Sequence, residues 1–115
     1  MQLLIKMVIY FNSENARKEL LSSGVVITAR KTRRGTGNTI AVYTTPDRFR
    51  HDIGWVNVQL LDECDRTNIR EILGKYVKNS GFDSVGEWIN EIRKLNSNRW
   101  MPEYMFLFKV EMIEK

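Results

Sequence analysis

The 115 residues are 43% hydrophobic and 28% charged, the make-up of one folded domain (1–115) with an ordinary core, and carry a formal net charge of +4. Cys64 is the only cysteine and His51 the only histidine, which excludes an internal disulfide, a cysteine-based zinc site and His-pair metal sites. A reducing, cytoplasmic setting is expected, with no metal and no cofactor. The positive charge belongs to the first half: residues 1–61 hold nine Lys/Arg against four Asp/Glu, and residues 62–115 hold nine against ten.

The chain opens on MQLLIKMVIYF, an apolar run of about ten residues interrupted by Lys6. A bilayer span needs about 20 apolar residues, and a secretory signal needs a basic start and a small-residue cleavage site. Residues 2–11 therefore read as a strand buried on both faces, and no membrane contact is expected. Asn12-Ser13 offers a helix N-cap, Ala16, Leu20 and Leu21 a short apolar stripe, and Gly24 a C-cap. Residues 25–32 (VVITARKT) and 39–44 (TIAVYT) read as two strands joined in a hairpin through the glycine-rich turn. Pro46 closes the second of them, and residues 47–52 read as a polar, basic loop.

Residues 54–61 alternate Trp55, Asn57 and Gln59 against Val56, Val58 and Leu60, a strand with one wet face. From Thr67 the period changes to a helical stripe of Ile69, Ile72, Leu73, Tyr76 and Val77, ending near Gly81. Ser84-Val85-Gly86-Glu87 matches a capping box and opens an amphipathic helix over 85–95. Residues 96–100 form a loop, Pro102 is a breaker, and residues 104–113 are the last strand. The order predicts an α+β fold: a small, partly open β-barrel of about five to six strands with two to three helices packed at its ends.

The segment Arg30-Lys31-Thr32-Arg33-Arg34-Gly35-Thr36-Gly37 carries the strongest functional signal, with four cations in five residues. Strand alternation puts Thr28 and Arg30 on one face, Thr32 continuing it, and Lys31 on the other, with Arg33 and Arg34 reaching outward at the turn. Arg48, Arg50 and His51 form a second cluster. If their loop lies beside the hairpin, seven donors converge, and the preference for Arg over Lys suits planar, bidentate phosphate contacts. Phe49, between two arginines, is the expected stacking platform for an unpaired base, while Tyr43 and Trp55 sit on strands and read as core. Trp100, beside Arg99, either caps the barrel or lines a groove.

Other candidates have plainer readings. Gly35-Thr36-Gly37 lacks the Lys-Ser/Thr of a phosphate-binding loop. His51 in a charged loop reads as a surface residue. Asp62, Glu63 and Asp65 suit either a hard cation or the N-terminus of the following helix. The helix over 85–95 opposes Arg93 and Lys94 to Glu87 and Glu91, which disfavours duplex DNA in a major groove.

The strings LLSSG, VVITAR, SGFDSVGEWINEIRKL and PEYMFLFKVEMI, between Ala16 and Glu111, resemble the ASCH domain family of the PUA-like β-barrel superfamily. The resemblance implies a cleft beside the barrel, lined by the strand after the first helix, in which RNA or a nucleoside sits. Family members include an amidohydrolase acting on acetylated cytidine and a suggested ribonuclease, with a Gly-Lys-Lys/Arg-Thr-x-Thr-x-Arg pattern whose lysine is an active-site residue. Thr28 and Arg30 match the threonine and arginine of that pattern, making Thr28 the one catalytic candidate. Val25 and Val26 occupy the stretch of the lysine and first threonine, and a valine is neither base nor nucleophile. The expectation is an RNA-binding module gripping through Thr28, Arg30, Lys31, Arg33, Arg34, Arg48, Phe49, Arg50 and His51. The alternatives are an enzyme acting on RNA or a modified nucleoside, and a protein-interaction domain.

Overall fold

Local chemistry sets the first helix. The Ser13 hydroxyl accepts from the Ala16 N–H at 3.4 Å, and Gly24 ends the helix at φ 80°, its N–H donating to Leu20 O at 2.9 Å. A computed structural model of the chain describes residues 8–96 and 101–113. Its elements are β1 (Val8–Tyr10), α1 (Glu14–Ser23), β2 (Val25–Arg30), β3 (Gly37–Thr44), β4 (Arg50–Asp65), α2 (Ile69–Tyr76), a 3₁₀ turn (Val77–Asn79), α3 (Val85–Leu95) and β5 (Tyr104–Met112). The Ser84 cap holds as expected, its hydroxyl accepting from Glu87 N–H at 3.1 Å. Residues 2–7 of the expected first strand, and Arg99 and Trp100, lie outside the described residues.

The five strands form one sheet in the order β1-β3-β4-β5-β2. Only β1 and β3 pair in parallel; β3–β4, β4–β5 and β5–β2 are antiparallel. The described residues thus make an α+β fold with three helices on a five-stranded sheet whose edges are β1 and β2, and strand pairing among them does not close it.

Two expectations fail here. Residues 25–32 and 39–44 are not hairpin partners: β2 pairs with β5, and β3 lies between β1 and β4. The basic segment is therefore a crossover over residues 31–36, not a hairpin. The reason lies in burial. Neighbouring residues on a strand face opposite ways. In β2, Val26 joins the core beneath α1 while Ile27 joins the core beneath α2 and α3. In β5, Phe108 and Leu107 divide in the same way. These two strands are apolar on both faces and need cover on both, which puts them side by side under the helices. β3 and the first half of β4 keep one wet face, so they pair together and take the short 45–49 turn.

The second failure is the loop over 47–52, since Arg50, His51 and Asp52 already belong to β4. That strand runs for 16 residues, with register shifts at Ala41/Val42 against β3 and at Leu60/Asp62 against β5, and reaches both cores. Trp55 belongs to its wet face and is 47% exposed, against the expectation that it is core.

Cys64 lies in the second core, and burial, with smaller effects of Asp62 and Asp65, pushes its thiol up to about 11. We expect no reaction with an aromatic disulfide reagent at neutral pH until the protein is unfolded. Stoichiometric labelling of the native protein within minutes would contradict that burial. Among the described residues no helix is long and apolar enough to cross a membrane.

Candidate nucleic-acid interface

A cleft of about 360 Å³ opens where the end of β1, α1, β2 and α3 meet. The segment Tyr10–Ser13 lines it, as do Phe82, Trp88, Glu91 and Leu95 from α3 and the loop before it. Thr28, Ala29, Arg30 and Lys31 line it from β2 and the start of the crossover. Its lining is mostly apolar with a few polar groups, the usual make-up of a ligand site. Glu91 is the one acidic side chain among the lining residues, and it shares the cleft with the cations Arg30 and Lys31.

Arg30 is held from three directions. Its Nη2 donates to Tyr10 O at 2.7 Å, its Nε donates to Thr28 Oγ1 at 3.2 Å, and its guanidinium lies 5.2 Å from the Phe11 ring centroid. The bond to Thr28 shows that these two residues share a face, as strand alternation predicts. Burial, and then the nearby Arg34 charge, push Arg30 down to about 10, so it stays a cation at neutral pH. Arg34 follows the same plan: Nη1 donates to Val8 O at 3.3 Å and Nε to Gly35 O at 3.2 Å. Burial lowers its pKa too. Across the gap between the unpaired edges, two arginines supply the donors that a neighbouring strand would supply to β1. Arg34 therefore does not reach outward as expected. Lys31 and Arg33 are exposed, and neither makes a side-chain hydrogen bond or ion pair among the described residues.

The second basic cluster sits on the β3–β4 turn. Arg48 N–H donates to Thr45 O at 2.8 Å, Thr45 N–H donates to Phe49 O at 3.1 Å, and the Thr45 hydroxyl donates to Asp47. That hydroxyl is the main reason the Asp47 carboxyl lies below its usual range. Phe49 is 65% exposed, Arg50 pairs with Asp52 at 3.3 Å, and His51 stacks on its cross-strand partner Tyr43 at 5.1 Å. The seven donors do not converge on one point. Arg30 and Arg34 face backbone carbonyls and Arg50 faces a carboxylate, leaving Lys31, Arg33 and Arg48 outward.

Of the two clusters only the first lines the cleft, through Arg30 and Lys31, and the second is linked to it through Asn12. Asn12, a cleft residue, accepts through Oδ1 from Thr44 N–H at 3.0 Å and from the Thr44 hydroxyl at 3.1 Å, which ties the cleft to the base of the turn. Arg17 lies 4.3 Å from the Tyr43 ring centroid and donates through Nη1 to Phe11 O at 3.0 Å. Arg17, Tyr43 and His51 thus form a short stack beside Tyr10–Ser13, while Arg30 lies over the buried Phe11 ring of the same segment. Sequence reading missed Arg17, since nothing in α1 distinguishes it from Lys18. It also missed Glu91 as a cleft residue, having set it only against Arg93 and Lys94 on the helix over 85–95.

The acidic run has local partners. Asp65 Oδ1 accepts from the Thr67 hydroxyl and from the N–H groups of Thr67 and Asn68, while Asp62 and Glu63 accept from the Tyr76 and Tyr104 hydroxyls. Among the described residues no group of three or more His, Cys, Asp or Glu is placed to hold a metal. No family model, curated protein or solved structure matches the chain.

Proposed function

We propose that the chain is a module that binds single-stranded RNA in an ASCH-like, PUA-like manner, with the edges of the sheet flanking the binding cleft. One observation carries this reading: Arg30 and Lys31 line an apolar cleft, and a second basic cluster sits on the turn whose base is hydrogen-bonded to the cleft residue Asn12. Folded cations beside an apolar, concave site suit a polyanion with exposed flat bases. Lys31 and Arg33 are the free phosphate contacts. Arg30 presents a fixed cation and Thr28 is already its hydrogen-bond partner, which favours grip over chemistry. Val25 and Val26, where the ASCH pattern has its lysine and first threonine, favour the same side.

The test is a salt titration. The double variant Lys31→Ala/Arg33→Ala, which touches no internal hydrogen bond, is expected to lower affinity for a single-stranded oligonucleotide. It should also flatten the log–log salt slope by roughly 1.4, about 0.7 for each lost phosphate contact. Equal affinity and equal slope for parent and variant would remove this reading.

A further inference from the structure

We propose that the 45–49 turn is a second docking point for the same single strand, which the protein clamps with one base at the cleft and another, several nucleotides along, on Phe49. The inference rests on the nucleic-acid reading above and adds to it the length of strand required. The turn is built, not loose: two backbone hydrogen bonds and the Thr45–Asp47 contact cross it, and Asn12 fixes its base against the cleft wall. Phe49 is the most exposed of the large apolar side chains among the described residues, at 65%. A ring held so far out of the core contributes little to folding. It is available for stacking on a base face.

Arg48 supplies the independent observation. It has φ 73° and is the only non-glycine residue with positive φ among the described residues. A side chain in that region costs about 1 kcal/mol, which glycine avoids. The Arg48 side chain makes no hydrogen bond or ion pair among the described residues; its backbone N–H, donating to Thr45 O, is what the turn uses. Backbone strain around an outward cation points to a use outside the fold. Arg17, over the Tyr43 ring and bonded to Phe11 O, adds a cation beside the segment Tyr10–Ser13 that lines the cleft. Asp47 and Asp52 are the acids at the turn, and both are engaged, by Thr45 and Arg50. A duplex hides its base faces in the stack and offers nothing to Phe49 or to the cleft, so the partner is a single strand.

Fluorescence anisotropy with oligouridylates of about 2 and about 10 nucleotides, on the parent, Phe49→Ala and Arg48→Gly, tests this. The parent is expected to bind the longer strand more tightly. Each variant should lose on the order of tenfold on the longer strand, the loss of one stacked or phosphate-bound nucleotide. Arg48→Gly should melt at or above the parent temperature, since it relieves strain. If either variant keeps the parent affinity for the longer strand, or if Arg48→Gly melts lower, the two-point clamp is overturned while cleft binding stands. If the parent binds neither strand, the nucleic-acid reading falls and the clamp falls with it.

Discussion

Gly81→Ala is expected to lower the melting temperature by about 10 °C, the largest single effect of any glycine substitution in the described chain. Gly81 has φ 90°, and a Cβ there would lie 2.4 Å from Asn15 O and 2.8 Å from its carbonyl carbon. Both are backbone atoms of α1 and cannot swing aside. The left-handed conformation costs about 1 kcal/mol and the forced separation about 2 more. The Asn15 side chain also donates to Gly81 O at 3.2 Å, so the separation would break a tie between α1 and the loop before α3. Gly24→Ala is the control: φ is 80°, but nothing lies within 4 Å of its Cβ, so only the conformational cost of about 1 kcal/mol applies. Melting curves followed by circular dichroism compare the two. Equal shifts would show that the close approach to Asn15 is not what costs stability. Ser80 and Phe82, on either side of Gly81, line the cleft, so the variant is expected to weaken binding as well.

Arg30→Ala is expected to act on stability and binding together. Its removal strips Tyr10 O and Thr28 Oγ1 of a charged donor at the unpaired edge of β1, and hydrogen bonds to charged groups are worth about 2 kcal/mol. Arg30→Lys restores the charge but not the planar fork that reaches a carbonyl and a hydroxyl at once. We therefore expect urea unfolding to give a loss of about 2 kcal/mol for the alanine variant and only partial recovery for lysine. Affinity for a single strand should fall on the order of tenfold for alanine, and lysine should recover more of it than it recovers of stability. An alanine variant within about 0.5 kcal/mol of the parent would show that water replaces the guanidinium at no cost. The seam would then hold without it.

What the sequence disclosed follows from the range of the forces involved. The caps at Ser13 and Ser84 and the stop at Gly24 are interactions within one turn, and they fell where composition put them. The apolar runs of residues 25–32 and 104–113 announced strands, though not that both of their faces are covered. Pairing was not legible, because a glycine-rich link between two strands permits a hairpin without requiring one. What decided it was the demand of β2 for helices on its outer face, and that depends on residues far along the chain. The site divides in the same way. Thr28 and Arg30 were placed together because strand alternation is local, whereas Lys31, singled out for its charge and assigned to the other face, follows the end of β2 and lines the cleft as well. Arg17 and Glu91 sit on helices whose patterns describe only the face turned to the core. Their neighbours come from other elements, and no spacing rule reaches them.

The partnership of β2 with β5 has a consequence for how the molecule is made. Thr28 pairs with Phe108, and Val26 with Val110, so this ladder joins the second strand to the last. Closing so long a loop costs entropy before any contact repays it, and pairings of high sequence separation form slowly. β3 and β4, joined by a short turn, need no such closure. The cleft takes residues from β2 and, through Met105, from β5. A chain that has made its local helices and its tight hairpin therefore still has no pocket, and the cleft is completed only with the slowest contact. Capture of a ligand by that late ladder would in turn hold the two ends of the chain's fold together.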